Sequence, residues 1–155
     1  GAKGIPFHFV RIDVAGNISK RFSATGIPIP RFSGLCPRWN VFRAFASPGR
    51  IQRQLSEMPD GTKYFCIART VQPDSHGFND MPRIHAVAIG CSLEHGKKMV
   101  YADGFDLDHP VTDPIGQTCR LCERTNCEQR AFPSIRAPLR IDTDQRGPTL
   151  YYGAE

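Results

Sequence analysis

No stretch of this sequence approaches the ~18 consecutive apolar residues that a membrane-spanning helix needs. No apolar leader follows its start, Gly1-Ala2-Lys3-Gly4. These absences predict a cytoplasmic protein without a membrane partner, and the start reads as a cut made inside a longer chain. There is no Gly-rich phosphate loop, since Gly90 and Gly96 stand alone, and no H-E-x-x-H pattern. Ser33, Ser92 and the 5 histidines form no nucleophile signature. The expectation is therefore that the chain is not an enzyme. Acid is nearly missing from the first third: residues 1–53 hold nine Lys or Arg against Asp13 alone, a local excess of +8, while the remainder is net −3. Such a bias suits an anionic partner such as a phosphorylated ligand, nucleic acid or an acidic subunit surface, or else a solvated Arg-rich face. No internal repeat or low-complexity tract interrupts the chain.

What is present is enough for one core. The 155 residues, 40% hydrophobic and 23% charged, fit a single globular domain that needs no disulfides. Residues 7–14 alternate, with Val10, Ile12 and Val14 on one face. They are followed by the turn Ala15-Gly16-Asn17 and a second extended run over 18–22, which together predict a hairpin. Residues 25–34 are rich in Gly and Pro and read as loop. Pro37 suits the first position of a helix, which would put Cys36 at its N-cap and end it at Pro48-Gly49. Residues 51–58 and 63–71 flank Pro59-Asp60-Gly61-Thr62, a second hairpin. A polar loop over 72–81 leads to an apolar run at 83–90, read as a strand covered on both sides. The order β-β-α-β-β-β predicts an α+β fold, an antiparallel sheet with helices on one face. Sensor domains of the PAS and GAF type share that order by analogy alone. Residues 1–102 form this predicted body. Residues 103–155 are loop-rich and poor in apolar side chains, so they need something to hold them against it, and a metal would serve.

The chemistry concentrates in the cysteines. There are 6, at 36, 66, 91, 119, 122 and 127. An even count suits disulfides in a secreted chain, but no secretion signal is present and three fall within the run Cys119-Arg120-Leu121-Cys122-Glu123-Arg124-Thr125-Asn126-Cys127. This C-x2-C-x4-C spacing supplies three thiolates to one centre. Arg120, Arg124 and Arg130 are expected to keep them ionised. No Cys or His follows Cys127, so a fourth ligand comes from upstream. Cys36 is favoured slightly by its place at the expected helix start and behind Gly34. Cys91, behind Gly90 at the end of the apolar strand, is the alternative. Cys66, between Phe65 and Ile67, reads as core. Spacing alone leaves zinc, with His95 or His109 as further donors, tied with an iron–sulfur cluster. The acidic run Asp103, Asp106, Asp108 with His109 reads as a solvated loop rather than a hydrolytic metal site. Trp39 reads as core or pocket wall.

Several stretches then carry a resemblance: Ser33-Gly34-Leu35-Cys36-Pro37-Arg38-Trp39-Asn40, Ile67-Ala68-Arg69-Thr70-Val71, Ile89-Gly90-Cys91, Val100-Tyr101-Ala102-Asp103-Gly104, and the run from Cys119 to Phe132 ending Gln129-Arg130-Ala131-Phe132. Together they resemble the C-terminal sensor domain of bacterial short-chain fatty acyl-CoA-responsive transcription regulators. The resemblance implies a homo-oligomeric regulator of propionate and acetate metabolism whose DNA-binding domain lies outside these residues. It implies CoA or a short acyl-CoA as ligand, with Arg38 and Trp39 as contacts. It also implies a [4Fe–4S] cluster held by Cys119, Cys122, Cys127 and one of Cys36 or Cys91. A zinc-stapled module binding nucleic acid or protein is the alternative.

Overall fold

In a computed structural model, residues 4–32, 34–73, 77–81 and 83–136 are described, with 139–140, 143–144, 147 and 152–153 beyond them. Strand β1 (His8–Ile12) buries every second residue, His8, Val10 and Ile12. It turns through Asp13, whose carboxylate accepts the Ala15 and Asn17 amides at 2.9 Å each. Gly16 completes the turn at φ +84°, under the Phe42 ring. β2 (Ile18–Ser23) returns as an almost wholly exposed edge strand. After helix α1 (Asn40–Ala46) come β3 (Gln52–Glu57), β4 (Lys63–Val71) and β5 (His85–Ser92). The spatial order is β2-β1-β5-β4-β3, all antiparallel, and the two-residue β6 (Asp113–Pro114) adds to β3 in parallel. A separate two-residue ladder joins β7 (Leu139–Arg140) to β8 (Tyr152–Gly153).

The expected chain order holds through residue 92, with one change at the helix. It has seven residues and starts at Asn40, not at Pro37, so Cys36 is not its N-cap. Trp39 stays extended (φ −68°, ψ 142°) because tertiary bonds claim this entry. The Trp39 indole N–H donates to the Gly116 carbonyl at 3.0 Å, and the Asn40 amide donates to the Gln54 side chain at 3.1 Å. Among the described residues, the expected plural α-helices on one face reduce to this one. The opposite face is covered by two 3₁₀ turns, Leu93–Lys98 and Val100–Ala102, and the loop that follows.

Side-chain size decides which face takes the helix. On the α1 side, β4 and β5 present Cys66, Ala68, Ala86, Ala88 and Gly90, all small, so Trp39, Val41 and Ala44 settle close to the backbone. On the other side stand Phe65, Ile67 and Cys91, packed with Ile5, Phe7, Met99 and Phe105. Strand parity therefore puts Cys66 and Cys91 on opposite faces.

A buried polar thread crosses the α1 face. His8 has no exposed surface. Its Nδ1 meets Thr25 Oγ1 at 3.0 Å and its Nε2 meets Cys66 Sγ at 3.4 Å, with Tyr64 edge-on at 5.5 Å between ring centroids. Burial pushes the imidazole down to about 4 and the Cys66 thiol up to about 12, so both are neutral near pH 7. Gly90 makes room for them: a Cβ there would stand 2.6 Å from Cys66 Sγ and closer still to His8 Nε2. Gly90→Ala is expected to lower stability by about 1–3 kcal/mol through overpacking, measured by urea unfolding. A second expectation concerns pH. The folded-state value for His8 lies below the ordinary 6.5, so as pH falls from 6.5 towards 4 the unfolded chain gains a proton that the folded one does not. Stability held in full above that window is lost across it, by up to about 3 kcal/mol. His8→Gln should flatten this slope, and an unchanged slope would refute the assignment.

Candidate metal centre

Two separated pieces of chain bring four thiols to one cavity. Cys36 arrives on the approach to α1, where its amide donates to the Gln117 carbonyl at 3.1 Å. Cys119 and Cys122 sit on a 3₁₀ turn, Cys119–Leu121, and Cys127 lies beyond it. All four line one small cavity with Arg38, Gly116 and other residues, where the space that could hold a water is about 10 Å³, room for one. Cys36 is buried, Cys119 nearly so, and Cys122 and Cys127 are half-buried. Among the described residues no three His, Cys, Asp or Glu side chains converge tightly enough to hold an ion where they stand. The thiols share a cavity without meeting at a point.

Backbone amides face the sulfurs. Gly116 N–H donates to Cys36 Sγ at 3.4 Å and Ala131 N–H to Cys119 Sγ at 3.4 Å. Gly116 leaves room for the thiol of Cys122: a Cβ would stand 3.0 Å from Cys122 Sγ, close enough that the sulfur would have to shift. Burial pushes the Cys36 thiol up to about 11, against the pull of the Arg38 and Gly116 amides, and the neighbouring Cys119 and Cys122 push the same way. Without a cation Cys36 is therefore a thiol near neutrality, and metal binding would release its proton.

The arginines do a different job from the one expected of them. Arg130 is buried, and its guanidinium donates to the carbonyls of Cys119 (2.9 Å), Cys122 (3.0 Å), Arg124 (2.5 Å) and Phe132 (3.3 Å). Arg124 reaches back to the body, donating to the carbonyls of Ile115 (3.1 Å) and Glu57 (2.9 Å). Arg120 lies over the Phe132 ring, 4.4 Å from its centroid. They shape the cysteine loop through its carbonyls, and Arg124 and Arg130 also line the cavity with the four thiols. Arg38 is the exception: its Nε is buried at the cavity with no hydrogen-bond partner among the described residues.

Other residues singled out from sequence fall elsewhere. Cys91 lies on the far side of the sheet from this cavity and takes no part in lining it. Cys66 is core, as read. Trp39 is 2% exposed and offers no free ring face to a ligand; it is core, and it holds the Gly116 carbonyl. Part of the basic excess is engaged within the chain. Arg11 donates to Ser19, Arg21 to the Ile29 carbonyl, Arg43 to Asp113, and Arg53 to the carbonyls of Tyr101 and Asp103. Asp106 accepts the amides of Asp108 and His109, so the acidic run caps its own loop. The clamping roles of Arg130 and Gly116 were not foreseen. Their only sequence signal was position, inside and just before the cysteine run.

Residues 1–151 match the model of the family described as short-chain fatty acyl coenzyme A regulator, C-terminal. The chain belongs to this family. It is 49% identical over 151 residues to the propionyl-CoA carboxylase regulator of Cereibacter sphaeroides, covering 97% of this chain and 32% of that protein. It is 48% identical over 153 residues to the HTH-type transcriptional regulator PrpR of Mycobacterium tuberculosis, covering 98% and 31%. RamB from the same species is 46% identical over 143 residues, covering 90% of this chain and 30% of that one. A solved Mycobacterium tuberculosis transcriptional regulator superposes with a TM-score of 0.86 at 46% identity, over 94% of this chain and 45% of that one. The chain thus spans about a third of the length of the curated relatives it matches, and those relatives are transcription regulators, not enzymes.

For this member of the acyl-CoA regulator family, Arg130 is the fastening of the cysteine loop. Arg130→Ala is expected to weaken that loop by about 2–4 kcal/mol, since charge-assisted bonds to several buried carbonyls are lost together. Arg130→Lys should recover only part, because an ammonium cannot reproduce the planar fork. Faster amide exchange over residues 115–131, with β4 and β5 unchanged, is the expected reading.

Proposed function

We propose that this chain is the cluster-bearing region of a transcription regulator that answers to CoA or a short-chain acyl-CoA, and that Cys36, Cys119, Cys122 and Cys127 ligate a [4Fe–4S] cluster. The observation that carries the reading is the common cavity lined by four thiols from separate pieces of chain, in a family described by its acyl-CoA response. The donor set fits. Four sulfurs, two of them facing backbone amides, are the ligands and hydrogen bonds that iron–sulfur clusters use. Four thiolates suit zinc as well, and the resemblance of the cysteine run to the family's cluster motif is what favours iron–sulfur here. Arg38 Nε, buried and unpaired, supplies a donor beside the negative charge of such a centre. We therefore assign Arg38 to the metal site rather than to CoA.

When bound, the cluster supplies a cross-link between the approach to α1 and the loop over 116–131. The chain's own residues do the positioning: Arg130 gathers the loop carbonyls, Arg124 ties the loop to β3, and Trp39 holds Gly116 against Cys36. The effector, CoA or an acyl-CoA, is proposed for the whole homo-oligomeric regulator in the cytoplasm, and its contacts are assigned to no residue of this chain. It would act by population shift, favouring one arrangement of the DNA-binding domains. The sheet-and-helix layout shared by analogy with PAS and GAF sensors suits a body that carries such a signal.

Full-length regulator purified without oxygen should be brown, and its native mass should include four irons and four sulfides per chain, together with any bound CoA species. Cys36→Ala should abolish the colour and Cys91→Ala should keep it. A colourless protein with one zinc per chain would replace the cluster by the zinc-stapled module. Loss of colour in Cys91→Ala alone would move the fourth ligand across the sheet.

A further inference from the structure

An apolar groove of about 310 Å³ opens on the sheet face away from α1. Phe65 and Cys91 form its buried floor. Ile89, Val100 and Tyr101 stand at its rim, 40%, 79% and 47% exposed, and Lys98 lies beside them. An apolar opening of this kind with one cation at its edge offers a seat for an apolar side chain and its acidic neighbour. The rim is preformed. Arg53 donates to the carbonyls of Tyr101 at 2.9 Å and Asp103 at 2.6 Å, and the Ala102 amide closes on the Met99 carbonyl at 3.0 Å.

Two observations indicate what covers it. The curated relatives carry about twice as much polypeptide again outside the region matched, and the matched family model is that of a C-terminal region. The first described residues run along this same face, where Ile5 and Phe7 pack into the cluster that floors the groove. Polypeptide preceding them in a full-length regulator would arrive beside the opening. Lys98 has no ion-pair partner among the described residues, so it is available to a carboxylate.

We propose that this groove seats a segment of the same polypeptide's preceding region, an aliphatic or aromatic side chain entering between Ile89 and Val100 with a neighbouring Asp or Glu against Lys98. The inference rests on the chain being one region of a longer regulator, and it is independent of the four-thiol site.

Hydroxyl-radical footprinting of the full-length regulator tests it, with the exposed Met81 and Val111 as internal references. Tyr101 and Val100 should be oxidised several-fold more slowly than their exposure in the isolated fold would give, and the protection should be the same across a hundredfold dilution. Ile89→Asp and Lys98→Glu should each restore reactivity at Tyr101, while Val111→Asp should not, and metal content should stay unchanged in all three. Protection that disappears on dilution would assign the groove to a second copy of the chain. Protection that appears only on adding CoA or propionyl-CoA would assign it to the effector. Reactive Tyr101 and Val100 throughout would leave the groove uncovered. Each of these three results overturns the proposal without touching the cluster reading, which fails only if the iron and sulfide are missing.

Discussion

The backbone of Gly116 is held from both sides, and the candidate site depends on it. Its carbonyl accepts the Trp39 indole N–H from inside the core, and its own N–H points at Cys36 Sγ. One residue thereby ties the most buried aromatic of the α1 face to a thiol of the cavity, and it leaves just enough room for Cys122. A buried indole N–H without a partner would cost about as much as a lost hydrogen bond, so the core itself favours the loop in this position. The loop is short of apolar residues and of regular structure. Its carbonyls would be poorly paired if Arg130 did not collect them. Trp39 brings the loop to the sheet, and Arg130 gives it a shape once there.

The strands were legible because their periodicity is local. His8, Val10 and Ile12 alternate in the sequence as they do in space, and Pro59-Asp60-Gly61-Thr62 turns where Gly61 takes φ +87°. The helix start was misread because the reason for it is not local. Pro37 is a good first residue for a helix, but Trp39 and Asn40 are bonded to Gly116 and Gln54, which lie far along the chain. The choice between Cys36 and Cys91 could not be made for a related reason. A strand covered on both faces shows no polar side, so nothing in residues 85–92 announces which way Cys91 points. The small side chains Ala86, Ala88 and Gly90 do announce it in hindsight, since they alternate with His85, Val87, Ile89 and Cys91. A close-packed helix needs the small set, and that places Cys91 on the other face.

The arginines show the limit of reasoning from charge. Counted along the sequence, they are a basic region awaiting an anion. In the fold, Arg53 of that region spends its donors on the loop carbonyls of Tyr101 and Asp103, as Arg124 and Arg130 further along do on backbone carbonyls of their own. Arg43 meets Asp113 at the surface, a pair of small energetic weight. Several of these arginines serve the geometry of a loop-rich chain, so a basic count along the sequence does not by itself point to a ligand.

Strand β3 is bonded to structure on both faces of the sheet. The Gln54 side chain, on the α1 side, donates to Asp113 and to the Arg38 carbonyl, and at the end of the strand the Glu57 carbonyl accepts Ile115 N–H and Arg124. Arg53, of the other parity, holds the Tyr101 and Asp103 carbonyls and lies 4.6 Å from the centre of the Phe105 ring. β3 is bonded to β4 along its length and to β6 at its end, so it cannot slide to suit one face without shifting the other. Backbone hydrogen bonds at fixed register leave no intermediate position: a slip of one residue would exchange the faces outright. β3 thus carries the attachments of both faces: Gln54 and the Glu57 carbonyl hold the cysteine side, and Arg53 holds the Tyr101 and Asp103 carbonyls at the rim of the far groove.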